Sequence, residues 1–377
     1  MSRFLDGLAA KAAERERLGL TRRLVSHTPT GERGLLDLAG NDYLGLLHRH
    51  DVVASAVAAA RQYGGGAGAS RLVTGSLAIH DRLEEQLAAL TGAASALVFS
   101  SGYHANLGAV TALTDADTLI VSDAHVHASL IDAARLSRAS VAVAAHNDPA
   151  DVERLLAGRS QPGAMVVVES IYSVLGDAAP LAELARIAAR HDAVLLVDEA
   201  HGLGVAGERG EGLTASLGLS GLDHVVVTAT LSKSLGAQGG AVLAHPAVRE
   251  HLVNTARPFI YDTGLAPAAA GAALGALRAL NHDPGLAARV RANAAALAEA
   301  CGVEAPAGAV LSVPMPGPRE ALAAVERCAE HGIRIGCFRP PSTPDGISRL
   351  RLTAHAHHTA DEITLATKVL REVTRDV

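Results

Sequence analysis

Six short apolar runs recur between residues 50 and 280 of this 377-residue chain, with Ala- and Leu-rich amphipathic stretches between them. The runs are ALVF at 96, TLIV at 118, VAVA at 141, MVVV at 165, VLLV at 194 and VVVT at 225. Four consecutive apolar residues, many β-branched, cannot alternate between core and solvent, so they suit strands buried on both faces. Amphipathic stretches between such strands suit helices that cover the sheet. The pattern therefore predicts an α/β fold: a large domain over 46–283 with a mostly parallel central sheet between helices. Near His282 to Pro284 the grammar changes. An Ala-rich helix, a strand near Ala309 to Val313, a helix through Arg327, and the stretches IRIGCF and SRLRLT predict a small C-terminal α+β domain over 284–377. Residues 1–45 read as an N-terminal arm packed on the main body: a helix, a short extended piece and the turn-rich AGNDYLG.

Composition excludes several classes. A net charge of −6 and 2% aromatic residues give neither the basic clustering nor the stacking rings of a nucleic-acid surface. No apolar stretch reaches the roughly 18 residues of a membrane span, and the first twenty residues carry Asp6, Glu14 and Glu16, so the expectation is a cytoplasmic protein with no membrane contact. Cys301, Cys328 and Cys337 are odd in number and lack metal-ligand spacing, which predicts reduced, packed thiols.

One lysine stands out. Thirty of the 33 basic residues are arginine, yet Lys233 lies in VVVTATLSKSLGAQGGAV, with no other Lys, Arg, Asp or Glu before Arg249. An amine can deprotonate and form a Schiff base near neutral pH, which a guanidinium cannot. Lys233 is the candidate for covalent chemistry.

Ligands of open parallel α/β sheets gather at the carboxyl ends of the strands. After ALVF comes SSGYHANLGAVTAL, a Gly turn entering a helix whose free N–H groups suit a phosphate. After TLIV comes SDAHVHASL, which puts His125 and His127 at a helix entry. As metal ligands the two histidines lack further partners, so no metal is expected; an imidazole that stacks on a ring or polarises a carbonyl fits better. MVVV is followed by Glu169 and Ser173, and VLLV by Asp198 and His201 in DEAHGLG. An acid straight after four buried apolar residues needs a cation or strong donor facing it. Two decoys fail. DEAH also marks nucleotide-driven helicases, but no Gly-Lys pair of a P-loop occurs; Gly202 to Gly207 matches G-x-G-x-x-G but continues as ERGEG, without the helix a dinucleotide site requires. What remains is an amine, a strand-end acid, two histidines and a helix-start Gly turn. Pyridoxal phosphate uses those parts: an amine for its aldehyde, a carboxylate for its pyridine nitrogen, a helix start for its phosphate.

These motifs resemble the α-oxoamine synthase family of fold-type-I pyridoxal phosphate enzymes. The likeness runs through NDYLGL at 41, GAGASRLVTGS at 66, FSSGYHANLG at 99, DAHVHASLIDAARLS at 123, VDEAHGLGV at 197, TLSKSLGAQGG at 230 and RLRLT at 349, nearly the whole chain. The resemblance implies pyridoxal 5'-phosphate as cofactor, with Lys233 in Schiff-base linkage, Asp198 on the pyridine nitrogen, His201 on the ring hydroxyl and His127 stacked on the ring. It places Gly102 and Tyr103 at the phosphate and Ser173 and Thr230 in the cofactor's surroundings. It has Thr263 reaching the phosphate of a neighbouring subunit, in a homodimer with shared sites. Arg351 would clamp the amino acid's carboxylate, Asn41 and Ser342 would line the substrate pocket, and Arg22 would meet a distal acyl carboxylate. The implied reaction is decarboxylative condensation of L-alanine with a pimeloyl thioester, on CoA or a carrier protein, at the start of biotin ring assembly. A sister activity, such as that of the glycine C-acetyltransferases, shares most of the motifs. One departure concerns the turn where relatives read Ser-Met/Val-Asp-Gly-Asp: here it is Ser173-Val-Leu-Gly-Asp177, with Leu175 in place of an acid.

Overall fold

Along each central strand, successive side chains enter two different cores, which is why these strands read as unbroken apolar runs. The computed structural model describes all residues except 1, 23, 25, 27–33, 341, 344 and 375–377. Its strands, in chain order, are β1 (Leu36–Leu38), β2 (Ser95–Phe99), β3 (Thr118–Asp123), β4 (Ser140–Ala144), β5 (Gly163–Glu169), β6 (Val194–Asp198), β7 (Val225–Thr230), β8 (Gly240–Ala244), β9 (Val310–Pro314), β10 (Ile333–Phe338) and β11 (Arg349–Thr353). Met165 and Val167 of β5 pack into one core with Ile120, Leu196 and Val226. Val166 and Val168 face the other, with Val121, Leu195 and Val197. Burial on both faces matches the period-two geometry of a strand covered by helices on either side.

Seven strands form the large sheet in the order β2-β8-β7-β6-β5-β3-β4. All neighbours pair in parallel except β8, which is antiparallel to both β2 and β7. The expected mostly parallel sheet is present, with two differences. VAVA forms β4 at the sheet edge, where Val141 and Val143 stay exposed. An edge strand has a neighbour on one side only, so an apolar run need not mean full burial. The second difference is β8, which the runs did not announce because it opens on Gly-Gly. Its glycine is required by close approach: a Cβ on Gly240 would overlap the Ser101 carbonyl.

The small sheet has the order β1-β10-β11-β9. Its β1 comes from the N-terminal segment and pairs in parallel with β10, so residues 36–38 join the C-terminal layer. The first helix, α1 (Arg3–Arg17), buries none of its residues, and Phe4, Leu5 and Leu8 are exposed. That differs from an arm packed on the main body; charged residues at 3, 6, 11, 14, 15, 16 and 17 surround its short apolar face. Further helices are α2 (His50–Tyr63), α3 (Ala78–Thr91), α4 (Gly102–Leu113) and α5 (Ala128–Leu136). No described helix is long and apolar enough to cross a membrane.

Candidate active site

Parallel pairing brings the ends of β5, β6 and β7 together, with Glu169 opposite Asp198 and Asp198 opposite Thr228. Polar residues ending three adjacent apolar strands thus form one polar floor. Asp198 is 4% exposed. Its Oδ2 accepts a hydrogen bond from Asn106 Nδ2 at 2.8 Å and its Oδ1 one from the Ala200 N–H at 2.9 Å. Of the cation or strong donor expected to face this acid, the groups in hydrogen-bond contact are donors, an amide and a backbone N–H, and no ion pair to Asp198 occurs among the described residues. Asn106 is a residue that sequence reasoning missed. The available signal was an amide inside an otherwise apolar helical stretch.

Asn106 also donates to Ser129 Oγ at 2.8 Å, and Ser129 Oγ lies 2.8 Å from His127 Nδ1. The Ser129 N–H reaches the same nitrogen at 3.3 Å, so His127 Nδ1 is an acceptor and the neutral ring carries its proton on Nε2. His127 caps α5 and keeps an exposed ring; burial of its surroundings holds its pKa below the ordinary value. His125, by contrast, stacks on His146 at 3.9 Å between centroids.

Lys233 follows β7 in a turn and is half-buried. Its Nζ lies 2.9 Å from His201 Nε2. Burial lowers its pKa to about 8, although the charges of Asp198 and Glu169 act in the opposite direction. Burial, with the charges of Lys233 and Arg351 added, holds His201 well below its ordinary value, so its ring is neutral. His201 Nδ1 is 2.7 Å from Tyr43 Oη, and Tyr43 Oη donates to Asn41 Oδ1 at 3.1 Å. The arrangement that gives every group a partner runs from Lys233 N–H to His201 Nε2, from His201 Nδ1–H to Tyr43 Oη, and from Tyr43 O–H to Asn41. Tyr43 is fully buried, and burial lifts its phenol to about 12, so it keeps its proton.

The chain of bonds ends at Arg351. Its Nη1 and Nη2 both point at Asn41 Oδ1 at 3.4 Å, and its Nε donates to the Ser173 carbonyl at 2.9 Å. Arg351 is 6% exposed and meets only neutral acceptors; no carboxylate pairs with it among the described residues. A buried guanidinium without a counter-charge is poised to take up an anion. Glu169, 1% exposed, accepts from the Ser173 N–H at 3.0 Å; burial and then the Asp198 charge push its carboxyl up to about 8. Glu169 and Tyr43 stood in the sequence motifs without a role.

At the other end of the floor, α4 begins beside β7. Ser101 Oγ accepts from the His104 N–H at 3.1 Å, and the N–H groups of Gly102 and Tyr103 have no intrahelical partner. Gly102 lies so close to Thr230 that a Cβ would come within 2.9 Å of the Thr230 Cβ. Thr230 Oγ1 is 2.7 Å from Ser232 Oγ. Hydroxyls, free N–H groups and a helix start make this an anion cradle. The Tyr103 hydroxyl donates to Asp132 at 2.5 Å, so only its backbone faces the cradle's chemistry. Three expected residues lie apart from the Lys233 network. Thr263 lines a small cleft with Arg71, Ser100 and Asp262. Arg22 Nη2 donates to Ser342 Oγ at 2.6 Å, a pair held at the exposed rim. Leu175 sits half-buried in the turn before Asp177, whose Oδ2 is met by His146 and Asn147.

Comparison with known proteins gives the family. Residues 33–370 match the family described as aminotransferase class I and II. The chain is 55% identical over 361 residues to an 8-amino-7-oxononanoate synthase of Mycolicibacterium gilvum (strain PYR-GCK), covering 96% of this chain and 94% of that one. It is 54% identical over 370 residues to the enzyme of that name in Mycolicibacterium smegmatis (strain ATCC 700084 / mc(2)155), covering 98% and 96%. The chain belongs to the 8-amino-7-oxononanoate synthase family. Among solved structures it superposes on a serine palmitoyltransferase from S. paucimobilis, solved with bound pyridoxal phosphate and myriocin, with a TM-score of 0.89, 30% identity and coverage of 98% and 97%. A crystal structure of an 8-amino-7-oxononanoate synthase from Francisella tularensis matches with a TM-score of 0.77, 27% identity and coverage of 91% and 98%. The fold is that of fold-type-I pyridoxal phosphate transferases, and a member of this synthase family is an acyl-transferring enzyme with pyridoxal 5'-phosphate as cofactor. The site fits that group: a half-buried amine, a buried carboxylate met by neutral donors, and an anion cradle at a helix start.

Proposed function

We propose that the protein condenses L-alanine with a pimeloyl thioester, releasing CO2 and the thiol carrier, to form 8-amino-7-oxononanoate for biotin synthesis. The observation that carries this reading is the bonded chain from Lys233 through His201, Tyr43 and Asn41 to the unpaired Arg351. It spaces an amine and a carboxylate receptor for one amino acid. When bound, pyridoxal phosphate supplies an aldehyde that takes an amine and a protonated ring that accepts the electron pair left when a Cα–H or Cα–carboxylate bond breaks.

In this reading Lys233 anchors the cofactor and, once released, its Nζ removes the Cα proton and later returns one. An amine with its pKa near 8 is suited to move a proton in both directions near neutral pH. Asp198, held by Asn106, would pair with the ring nitrogen. His201 would meet the ring hydroxyl through Nε2, which accepts because its proton sits on Nδ1 toward Tyr43, and His127 would cover the ring with its Nε2–H toward the thioester carbonyl. Gly102 and Tyr103 N–H groups and Thr230 hold the phosphate, with Ser173 nearby and Thr263 contributed to a neighbouring subunit. Arg351 takes the alanine carboxylate with both Nη atoms, and Asn41 orients it. Arg22 and Ser342 receive the distal carboxylate of the pimeloyl chain at the rim. A cytoplasmic homodimer is part of the proposal. The exposed Leu72, Val73 and Tyr261, close in sequence to Thr263 or to the GAGASRLVTGS loop, support a partner there.

The test is a substrate panel with purified holoenzyme. L-Alanine with pimeloyl-CoA should turn over at least about tenfold faster, by kcat/KM, than glycine with acetyl-CoA or serine with palmitoyl-CoA, a margin within reach of pocket discrimination. Preference for either of the other pairs would replace this reading with a sister synthase.

A further inference from the structure

Three histidines crowd the turn between β11 and the helix Ala360–Thr374, and none of them belongs to the network around Lys233. One nitrogen from each of His355, His357 and His358 lies within 4.8 Å of the other two. The rings of His355 and His358 stack at 4.9 Å with 17° between planes, and His357 meets them edge-on at 5.4 and 4.7 Å. Here no ion pair to any of the three occurs among the described residues.

His358 is 8% exposed, and its Nδ1 has no hydrogen-bond partner among the described residues. An orphaned polar nitrogen at that depth is uncommon and calls for an explanation such as an ion. His355, 3% exposed, is better held: Nε2 lies 3.2 Å from Thr353 Oγ1, and its carbonyl accepts from Asn293 Nδ2 at 2.8 Å. Imidazole binds a metal through a ring nitrogen's lone pair, and the orphaned Nδ1 of His358 is such an atom.

We propose that His355, His357 and His358 form a binding site for a borderline divalent transition-metal ion of the zinc type, separate from the reaction site. All-imidazole ligation selects such ions over Mg2+ and Ca2+, which want oxygen. A tetrahedral ion with bonds of about 2.0–2.1 Å needs nitrogens about 3.3 Å apart. His357 is the exposed member of the three, so closing the gap would fall to the ring with a solvent-facing side. Three protein ligands leave a fourth position for water. The ion would also have a neighbour of consequence. The Ala356 N–H donates to the Tyr43 carbonyl at 2.7 Å, and Gly45 lies against the His357 ring, so the site abuts the Asn41–Gly45 segment.

The experiment is calorimetric titration of chelator-treated, dialysed holoenzyme with ZnCl2 and, separately, MgCl2. One zinc equivalent per chain and no magnesium binding are expected. His357→Ala removes an exposed ring and leaves the buried pair in place. It should weaken zinc binding by more than about tenfold, the loss typical even of an outer-shell partner. It should also abolish a zinc-dependent rise in Tm. His358→Gln, tested the same way, should give the same loss. Absence of a saturable one-equivalent zinc site in the parent protein would overturn the proposal. So would less than tenfold weakening in His357→Ala, which would make the binding adventitious. Neither readout depends on which substrates the enzyme uses.

Discussion

The two halves of the candidate site are built differently. On the large-sheet side, Glu169, Asp198 and the lysine-bearing turn sit at the ends of adjacent hydrogen-bonded strands, buried and bonded to one another's neighbours. On the small-sheet side, Arg351 projects from β11 and is met by Asn41, 310 residues away, over bonds of 3.4 Å. Rigid strand ends fix where an amine and a carboxylate stand, which suits bond-breaking chemistry. Longer, unpaired contacts between distant segments leave room for a substrate to take over the arginine, which suits recognition. The contrast implies that variants on the first side depress turnover, whereas those on the second depress affinity.

The largest expected effect is from Lys233→Ala, which removes the proposed covalent anchor and proton-moving amine together and should lower kcat by at least about 10³-fold. Cofactor fixed to the chain by borohydride reduction, read by mass spectrometry, should vanish with it; covalent cofactor at its native site surviving in the variant would sink the role. Next, Asp198→Asn should cost about 10²–10³ in kcat, the scale of a single preorganised electrostatic contact, with cofactor content nearly unchanged. Near-normal turnover there would mean that the strand-end acid is structural. On the other half, Arg351→Lys keeps the charge but loses the two-pronged geometry, and should raise KM for alanine about tenfold or more while moving kcat less. If kcat fell and KM stayed, the contrast between the halves would be broken.

The smallest effect concerns pH. Glu169 holds its proton up to about 8 in the native state against an ordinary 4.5, so the folded protein binds a proton that the unfolded chain releases across that window. Its contribution to stability is complete below the lower value and disappears as pH rises through the upper one. Glu169→Gln, which does not titrate, should therefore lose less stability between pH 5 and 8 than the parent protein in urea melts. Equal slopes for the two would show that the buried acid does not carry the proton.

Much of the large-sheet half was legible because its logic is local. A polar residue ending a buried apolar run marks a strand end, and VVVT, VLLV and MVVV each announced one. The scarcity of lysine singled out Lys233. Where the signal was weaker, the physics explains why. Strand β8 was hidden by the glycines that its contact with Ser101 demands, and VAVA misled because an edge strand can leave valines in water. Asn106 carried no more than an odd amide in an apolar helix, since its value lies in reaching Asp198 from a different element, 92 residues away.

Sequence alone determined the period of the elements, the parallel layering and the choice of Lys233 as the candidate amine, because these depend on near neighbours along the chain and on composition. The tertiary structure alone decided that β1 completes the small sheet, that Tyr43 bridges His201 and Asn41, that Arg22 meets Ser342, and that three histidines converge before the last helix. Each of those depends on the distance between atoms far apart in sequence, and packing, not periodicity, sets that distance.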